Sequence, residues 1–302
     1  MGTVKCSIVA PFWEFNSNVE GFIVALSRNH NLDKFEIIFV VGNYQANYLK
    51  IKEQIKAVIK QDFVLLQDNA KNSGPSRSWC LGLKAAHGEY VAFLATDTTL
   101  NIDWCTTAIS RLNSISNEEF LIGNTSGSLT QSNLDKIEMH IDRRRSNSLI
   151  ADFRNFIGKR ESLLNITDEY CSGKYFSDVE LDFIIRKYLH LKLTPFQELT
   201  IYNKYPKSIT EAIKRKFKHG VGYGRICKVF IDRFRKFRTA GLREFIFAAS
   251  IYFKEATYAN LSARNRIILT LFNTTFLFGM FLGICLPGGF VRKYYFFHFD
   301  ES

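Results

Sequence analysis

The stretch Glu89-Tyr-Val-Ala-Phe-Leu-Ala-Thr-Asp-Thr-Thr-Leu100 constrains this chain more than any other. Its apolar run ends at Asp97, and no other acid stands between Glu89 and Asp103. Residues 74–87 ahead of it read as a helix, with Pro75 in the first turn and Gly88 just past the end, where a left-handed C-cap is expected. Helix, buried strand and then a carboxylate at the strand's carboxyl end is the order that places ligands at the edge of an open α/β sheet. The plainer alternative is that Asp97 caps the helix that follows.

The same alternation fills the first half of the chain. Residues 5–10 are predicted as a short strand closed by Pro11, and Ser17-Asn-Val-Glu20 has the form of a capping box opening a helix to about His30. Phe35–Val41 is almost continuously apolar, as a parallel strand buried on both faces should be. Residues 48–60 and 102–112 are predicted as helices, and residues 63–66 and 120–123 as strands. This order predicts a parallel sheet with right-handed crossovers. The pattern weakens over residues 126–145, where Arg143-Arg144-Arg145 reads as a solvated face, and returns at residues 156–164. Residues 175–188 form an amphipathic pattern with Asp178, Glu180 and Asp182 near its start. The helix dipole accounts for all three acids, but a carboxylate there that faces the ligand edge can also act as a general base.

Charge and cysteine usage narrow the partners. The 302 residues carry a formal net charge of +11, which points to anionic partners such as phosphates or an anionic membrane surface. No nucleic-acid recognition motif accompanies it, so nucleic acid is not expected. The six cysteines are scattered, without a CxxC pair or histidines at ligand spacing, which argues against a zinc site or disulfide framework and for a reducing compartment. The N-terminus shows no signal-peptide pattern, and Cys6 stands where a myristoylation motif needs Ser or Thr.

Taken in order, these segments resemble a family 2 glycosyltransferase with the GT-A fold, an α/β fold with a mostly parallel, Rossmann-like sheet flanked by helices. The resemblance covers roughly residues 5–222. It rests on Ser7-Ile-Val-Ala-Pro11, Phe35–Val41, Asn72-Ser-Gly74 leading into residues 82–94, Asp97, Gly158-Lys-Arg160, Ser177-Asp-Val-Glu-Leu181, and residues 202–220, where Arg215-Lys-Phe-Lys-His-Gly220 follows a helix. It implies that Asp97 is the second acid of a DxD motif and binds the Mg²⁺ or Mn²⁺ that bridges a donor diphosphate. One protein carboxylate can suffice for such a hard cation, which keeps waters and phosphates in its shell. The resemblance further implies that Asp178 is the general base, that Pro11, Phe12 and Glu14 lie against the nucleotide base, and that Asn72 belongs to the donor site. Arg215 and His219, before a flexible Gly220-Val-Gly222, would meet diphosphate or acceptor and stabilise the leaving group. The implied donor is a nucleotide sugar, with a UDP-sugar favoured, and the implied acceptor a glycan or polyprenyl-linked glycan.

The sequence also departs from the family pattern. Ala95 takes the first DxD position, Val41-Gly42 stands where relatives often carry an acid, and Trp79-Cys80 replaces an Arg-Asn pair. Ser177 precedes Asp178 where Glu is common, and Asn203 falls where many relatives place a metal-ligating His. Trp79 could instead stack on a base and Asn203 offer a carbonyl oxygen to the metal. A degenerate member that binds nucleotide or glycan without turnover is the rival reading.

The last third differs in character. Residues 214–243 interleave basic and apolar positions, as in a helix lying on an anionic membrane or packing its Phe face on a core. Residues 267–291 carry no charge and exceed the ~20 residues that cross a bilayer, yet Asn273, Thr274 and Thr275 dilute them and Pro287-Gly-Gly289 breaks their end. A re-entrant or interfacial segment fits better than a crossing, with burial in a homo-oligomer as the competitor. The expected organisation is a catalytic domain over residues 1–222 and a membrane-associating helical region over residues 223–302, at the cytoplasmic face of the membrane. Exchanging Asp178→Asn is expected to abolish sugar transfer while donor affinity stays nearly intact, and unchanged turnover removes Asp178 from the chemistry.

Overall fold

The computed structural model describes residues 5–43, 45–68, 74–112, 114, 119–127, 134–135, 137–138, 154–170, 192–203, 205–233 and 262–285. The chain divides into two compact units, residues 1–128 with 142–204 and residues 129–141 with 205–302.

The first unit holds an eight-stranded mixed sheet. In chain order its elements are β1 (Cys6–Phe12), α1 (Ser17–Ser27), β2 (Phe35–Val41), α2 (Tyr48–Val58), β3 (Val64–Gln67), α3 (Gly74–Ala85) and β4 (Tyr90–Leu94), then β5 (Thr98–Leu100), α4 (Trp104–Leu112), β6 (Glu119–Gly127), β7 (Asn155–Lys159), α5 (Arg160–Tyr170) and β8 (Lys192–Asn203). The strand order is β3-β2-β1-β4-β7-β6-β8-β5. The first four strands are parallel, as the alternating sequence predicts. β7 then inserts antiparallel between β4 and β6, which the sequence order did not suggest, and β6 regains the direction of β4.

Period-two alternation sorts the sheet's side chains into two layers. Ile8, Ala10, Ile37, Phe39, Ala92 and Leu94 enter one core cluster, covered by Phe22, Ile55 and Trp104 from α1, α2 and α4. Val9, Ile38, Val40, Val91 and Phe93 enter the other, covered by Trp79 and Leu83 of α3 and Leu163 of α5. Both faces are therefore dry, which is why β2 is apolar at every position but Glu36.

Local details differ from the sequence reading. Asn16, not Ser17, caps α1, its side chain accepting hydrogen bonds from the backbone N–H groups of Asn18 and Val19. β1 runs through Pro11 to Phe12 instead of stopping at residue 10. Gly88 is not in the left-handed region. It is needed because a Cβ there would lie 2.7 Å from the backbone nitrogen of Ser7. That close approach lets Gly88 N–H donate to Ser7 Oγ, whose hydroxyl donates in turn to Glu36. Glu36 also accepts from the His87 backbone N–H and lies 2.8 Å from His87 Nδ1. This clasp joins the amino ends of β1 and β2 to the turn before β4.

The second unit is built on α6 (Ile209–Arg233) and α7 (Ala263–Cys285). Ser208 caps α6: its Oγ accepts from Glu211 N–H, and the Glu211 carboxylate reaches back to accept from Lys207 N–H. Arg215–Gly220 thus lies inside a helix that is continuous across residue 222, and the glycines serve contact, not flexibility. A Cβ at Gly220 would lie 2.1 Å from the Phe276 carbonyl oxygen, one at Gly224 1.9 Å from that of Met280, and one at Gly279 2.5 Å from that of Phe217. Small residues here bring two helix backbones together, as small-xxx-small faces do. Leu134 and Ile137 join Ala212, Leu269 and Phe272 in a small core, beside a buried ion pair in which Lys216 Nζ lies 2.8 Å from Glu138 Oε2. α7 is, among the described residues, the one helix long and apolar enough to cross a membrane.

The clasp makes the fold acid-sensitive. Burial alone would raise the Glu36 carboxyl, but the hydrogen bonds from Ser7 and His87 outweigh it and hold the group below its ordinary value of 4.5. A carboxyl depressed in the folded state stabilises the fold above that value and loses this contribution as pH falls through its folded pKa. Glu36→Gln is expected to lower unfolding stability by about 1–3 kcal/mol at pH 7 and to flatten the loss of stability below pH 4.5, measured by denaturant titration across pH.

Candidate functional site

Strand order locates the site. β2 and β3 lie to one side of β1 and β4 to the other, so the winding reverses between β1 and β4, where an open α/β sheet leaves a crevice at its carboxyl edge. β1 and β4 pair only from Cys6↔Tyr90 to Val9↔Phe93, whereas β1 stays paired with β2 as far as Phe12. Pro11 stands just past the parting point. Phe12 carbonyl faces β2, accepting from Gly42 N–H at 2.7 Å, so Pro11 faces the β4 side, where its missing N–H forfeits no ladder bond. Its carbonyl accepts instead from Thr96 Oγ1 at 3.2 Å.

That bond fixes one side of the turn that carries Asp97. Ala95 N–H donates to the Arg154 carbonyl, and Thr98 Oγ1 donates to the Ala95 carbonyl at 2.6 Å. Arg154 is held from behind by Asn155. Its buried side chain accepts from Trp104 Nε1 and donates to the Leu199 and Asn124 carbonyls. Asp97 itself is exposed. β5 separates it from α4, so it does not cap that helix. The carboxylate is presented at the crevice by a turn tied to β1, β5 and the start of β7.

Three more loops reach the same edge. Asn43, after β2, donates to Glu14, after β1, at 3.4 Å. A Cβ at Gly42 would lie 3.2 Å from the Trp13 ring and 3.4 Å from Ser78 Oγ, so Gly42 lets that ring approach α3. Asp68, directly after β3, is fully buried and pairs with Arg77 Nε of α3 at 2.9 Å, while Arg77 is half exposed. The sequence reading missed Trp13, Asn43, Thr96 and this ion pair. Asp68 carried a usable signal, because it follows an apolar strand as Asp97 does.

The expected site residues do not all gather here. Pro11, Glu14 and Asp97 border the crevice. Phe12 is buried edge-on between Phe15 and Phe39, with ring centroids 6.4 and 6.3 Å away. Trp79, expected to stack on a base, faces the core instead, because its position on α3 points at the sheet: it is 7% exposed, with its ring 5.0 Å from Phe93. Asn203 is buried opposite the equally buried Thr98, one register step from Asp97. Arg215 and His219 belong to the second unit, on α6. Asn72 and Asp178 lie outside the described residues.

Among the described residues no three acids, histidines or cysteines cluster as a resident metal would require. Asp97 offers one exposed carboxylate, which fits a hard cation that arrives with a diphosphate and keeps phosphate and water ligands. Thiol chemistry has no support among the described cysteines at the core, since burial pushes the Cys6 and Cys105 thiols up, out of the reactive range. The two acids of the edge should separate in a stability measurement. Asp68→Ala is expected to cost about 1–3 kcal/mol by denaturant unfolding, because Arg77 loses a buried partner, whereas Asp97→Ala should stay within about 0.5 kcal/mol.

The fold has relatives of known structure. The crystal structure of S. aureus TarS 1-349 matches with a TM-score of 0.51 at 15% identity, over 93% of this chain and 90% of that one. The mannosyltransferase PcManGT from Pyrobaculum calidifontis, in complex with GDP-Man and Mn²⁺, matches with a TM-score of 0.60 at 13% identity, over 93% and 86%. At such identities the likeness carries the fold, a GT-A-like mixed sheet flanked by helices. No curated protein matches the chain. Residues 7–178, more than half of the sequence, match the family described as Glycosyl transferase family 2. With its switch-point crevice and Asp97 turn, the chain belongs to glycosyl transferase family 2.

Proposed function

We propose that the chain transfers a sugar from a nucleotide-sugar donor, with a UDP-sugar favoured, to a glycan or lipid-linked acceptor during the building of a surface polysaccharide. The observation that carries this reading is the exposed Asp97 carboxylate on its tied turn at the crevice, in a chain of this family. PcManGT shares the fold, and its structure is a complex with GDP-Man and Mn²⁺. A donor diphosphate and a Mg²⁺ or Mn²⁺ ion beside Asp97 is the corresponding assignment here.

In this reading Asp97 orients the donor by holding the cation, which neutralises charge on the departing diphosphate when bound. The turn's three ties hold the backbone that carries Asp97, so little reorganisation of that backbone is needed as the bond to the sugar breaks. Glu14, Asn43 and Trp13 form the wall against which the nucleotide base would rest. Asp178 takes the proton of the acceptor hydroxyl, which attacks the anomeric carbon in line and inverts it. The work takes place at the cytoplasmic face of a membrane, with the second unit as the associating part.

One observation favours a second reading, a nucleotide- or glycan-binding scaffold. Ala95 halves the acidic motif, and Asn203, the other candidate ligand, is buried. Calorimetric titration of UDP, GDP and TDP, each with and without Mn²⁺, tests the donor site, and release of the nucleoside diphosphate from a bound donor sugar separates enzyme from nucleotide-binding scaffold. The expected outcome is metal-dependent binding of one nucleotide, weakened at least about tenfold in Asp97→Ala, a loss of about 1.4 kcal/mol. Binding of none of them favours the scaffold.

A further inference from the structure

The two long helices of the second unit run parallel. Gly220 lies against Phe276 and Gly224 against Met280, so one turn forward on α6 matches one turn forward on α7. Ala212 shares a core cluster with Leu269 and Phe272, which extends the same direction toward the helix starts. The face of α7 turned to this unit is formed by Leu269, Phe272, Phe276, Gly279, Met280 and Gly283, all buried.

The opposite face is apolar and open. Ile267, Leu271, Phe278 and Phe281 are 70%, 46%, 58% and 55% exposed, and Thr274 between them is also exposed. Their alternating spacing of four, three, four and three residues draws one straight stripe along the helix. Arg264, three residues before Ile267, begins the same stripe, with Arg266 exposed beside it. Along the stripe the Phe278 ring lies 6.3 Å from Phe217 of α6, one turn beyond the exposed Lys214. Partial burial, and to a lesser degree the neighbouring Lys214, push the Lys218 ammonium down. Apolar side chains bordered by cations complement an anionic lipid surface.

A spanning arrangement conflicts with the pairing. If α7 crossed a bilayer, the parallel turns of α6 packed on it would be carried toward hydrocarbon together with the charged or polar Lys214, Arg215, Lys218 and His219. We propose that α7 lies in the plane of an anionic bilayer surface, with Ile267, Leu271, Phe278 and Phe281 inserted below the headgroups and Arg264 and Lys214 at the phosphates. This deepens the membrane association proposed above and does not depend on the transfer chemistry.

The test uses the full-length protein and vesicles of phosphatidylcholine with and without 30–40% phosphatidylglycerol (a range of roughly this order keeps the surface strongly anionic). Co-sedimentation with the anionic vesicles is expected, weakened by salt, and reduced at least about tenfold by Ile267→Asp with Phe281→Asp. Both positions are exposed, so the thermal transition and nucleotide binding of the double variant should match the parent. A tryptophan introduced at position 267, 274 or 281 in turn, with the signal of the parent's Trp13, Trp79 and Trp104 subtracted and read by quenching from lipids brominated at defined depths, gives a second readout. Equal, shallow depths at all three support the in-plane arrangement. A deepest signal at 274 with shallow ends means a crossing and overturns it. Anionic vesicle binding that the double variant retains overturns the stripe while leaving the membrane association intact. Absence of vesicle binding overturns both, and a dimer that the double variant dissociates would then assign the stripe to a second copy of the chain.

Discussion

The short reach of the β1–β4 pairing is the constraint on which the site depends. The two strands share a ladder only up to Val9 and Phe93, yet β1 must continue to Phe12 to complete its pairing with β2. Carrying β1 past its neighbour leaves backbone groups on one side without a ladder. Pro11 removes one donor there, and Thr96 satisfies the facing carbonyl. The side chain that does so belongs to the residue just before Asp97. Solving a backbone problem at the crevice therefore also fixes one side of the Asp97 turn, beside its ties to β5 and to the start of β7.

Much of this fold could be read from sequence because its parallel half buries both sheet faces. Phe35–Val41 was assigned to the residue, since a strand covered on both sides is apolar at every position but Glu36 and its ends stand out. The antiparallel β7 escaped because strand direction leaves no mark in a five-residue segment such as Asn155–Lys159, and only pairing between distant residues such as Leu94 and Asn155 decides it. Gly88 and the glycines of α6 were misread for one shared reason. A glycine chosen for conformation and a glycine chosen for closeness look identical in a sequence, and only the neighbouring backbone tells them apart.

The site was legible at its charged points and illegible at its aromatic ones. Asp97 stood out as an acid at the end of an apolar run, and Asp68 obeys the same rule without having been noticed. Phe12 and Trp79 sat at positions where family likeness suggested contact with a base, but both rings fill the core, where burial rewards a large aromatic more strongly than an exposed platform would. Trp13, next in sequence to Phe12, points to the other side of the strand end and reaches the edge that Phe12 does not. A one-residue difference along an extended chain separates packing from recognition.

The buried pair between Glu138 and Lys216 bears on how this protein can be divided. Glu138 lies on a segment inserted between β6 and β7, whereas Lys216 lies beyond the last strand, so the second unit is assembled from two separate passages of the chain. Sheet and helical pair are interleaved in the order of synthesis, and no single cut yields both as whole pieces. Removing the C-terminal helices would strand a buried carboxylate and the apolar Ile137 on what remained. The helical unit is in that sense no appendage that could be lost or exchanged at a linker, and any recombination that swapped it would have to carry an internal insertion along with the tail.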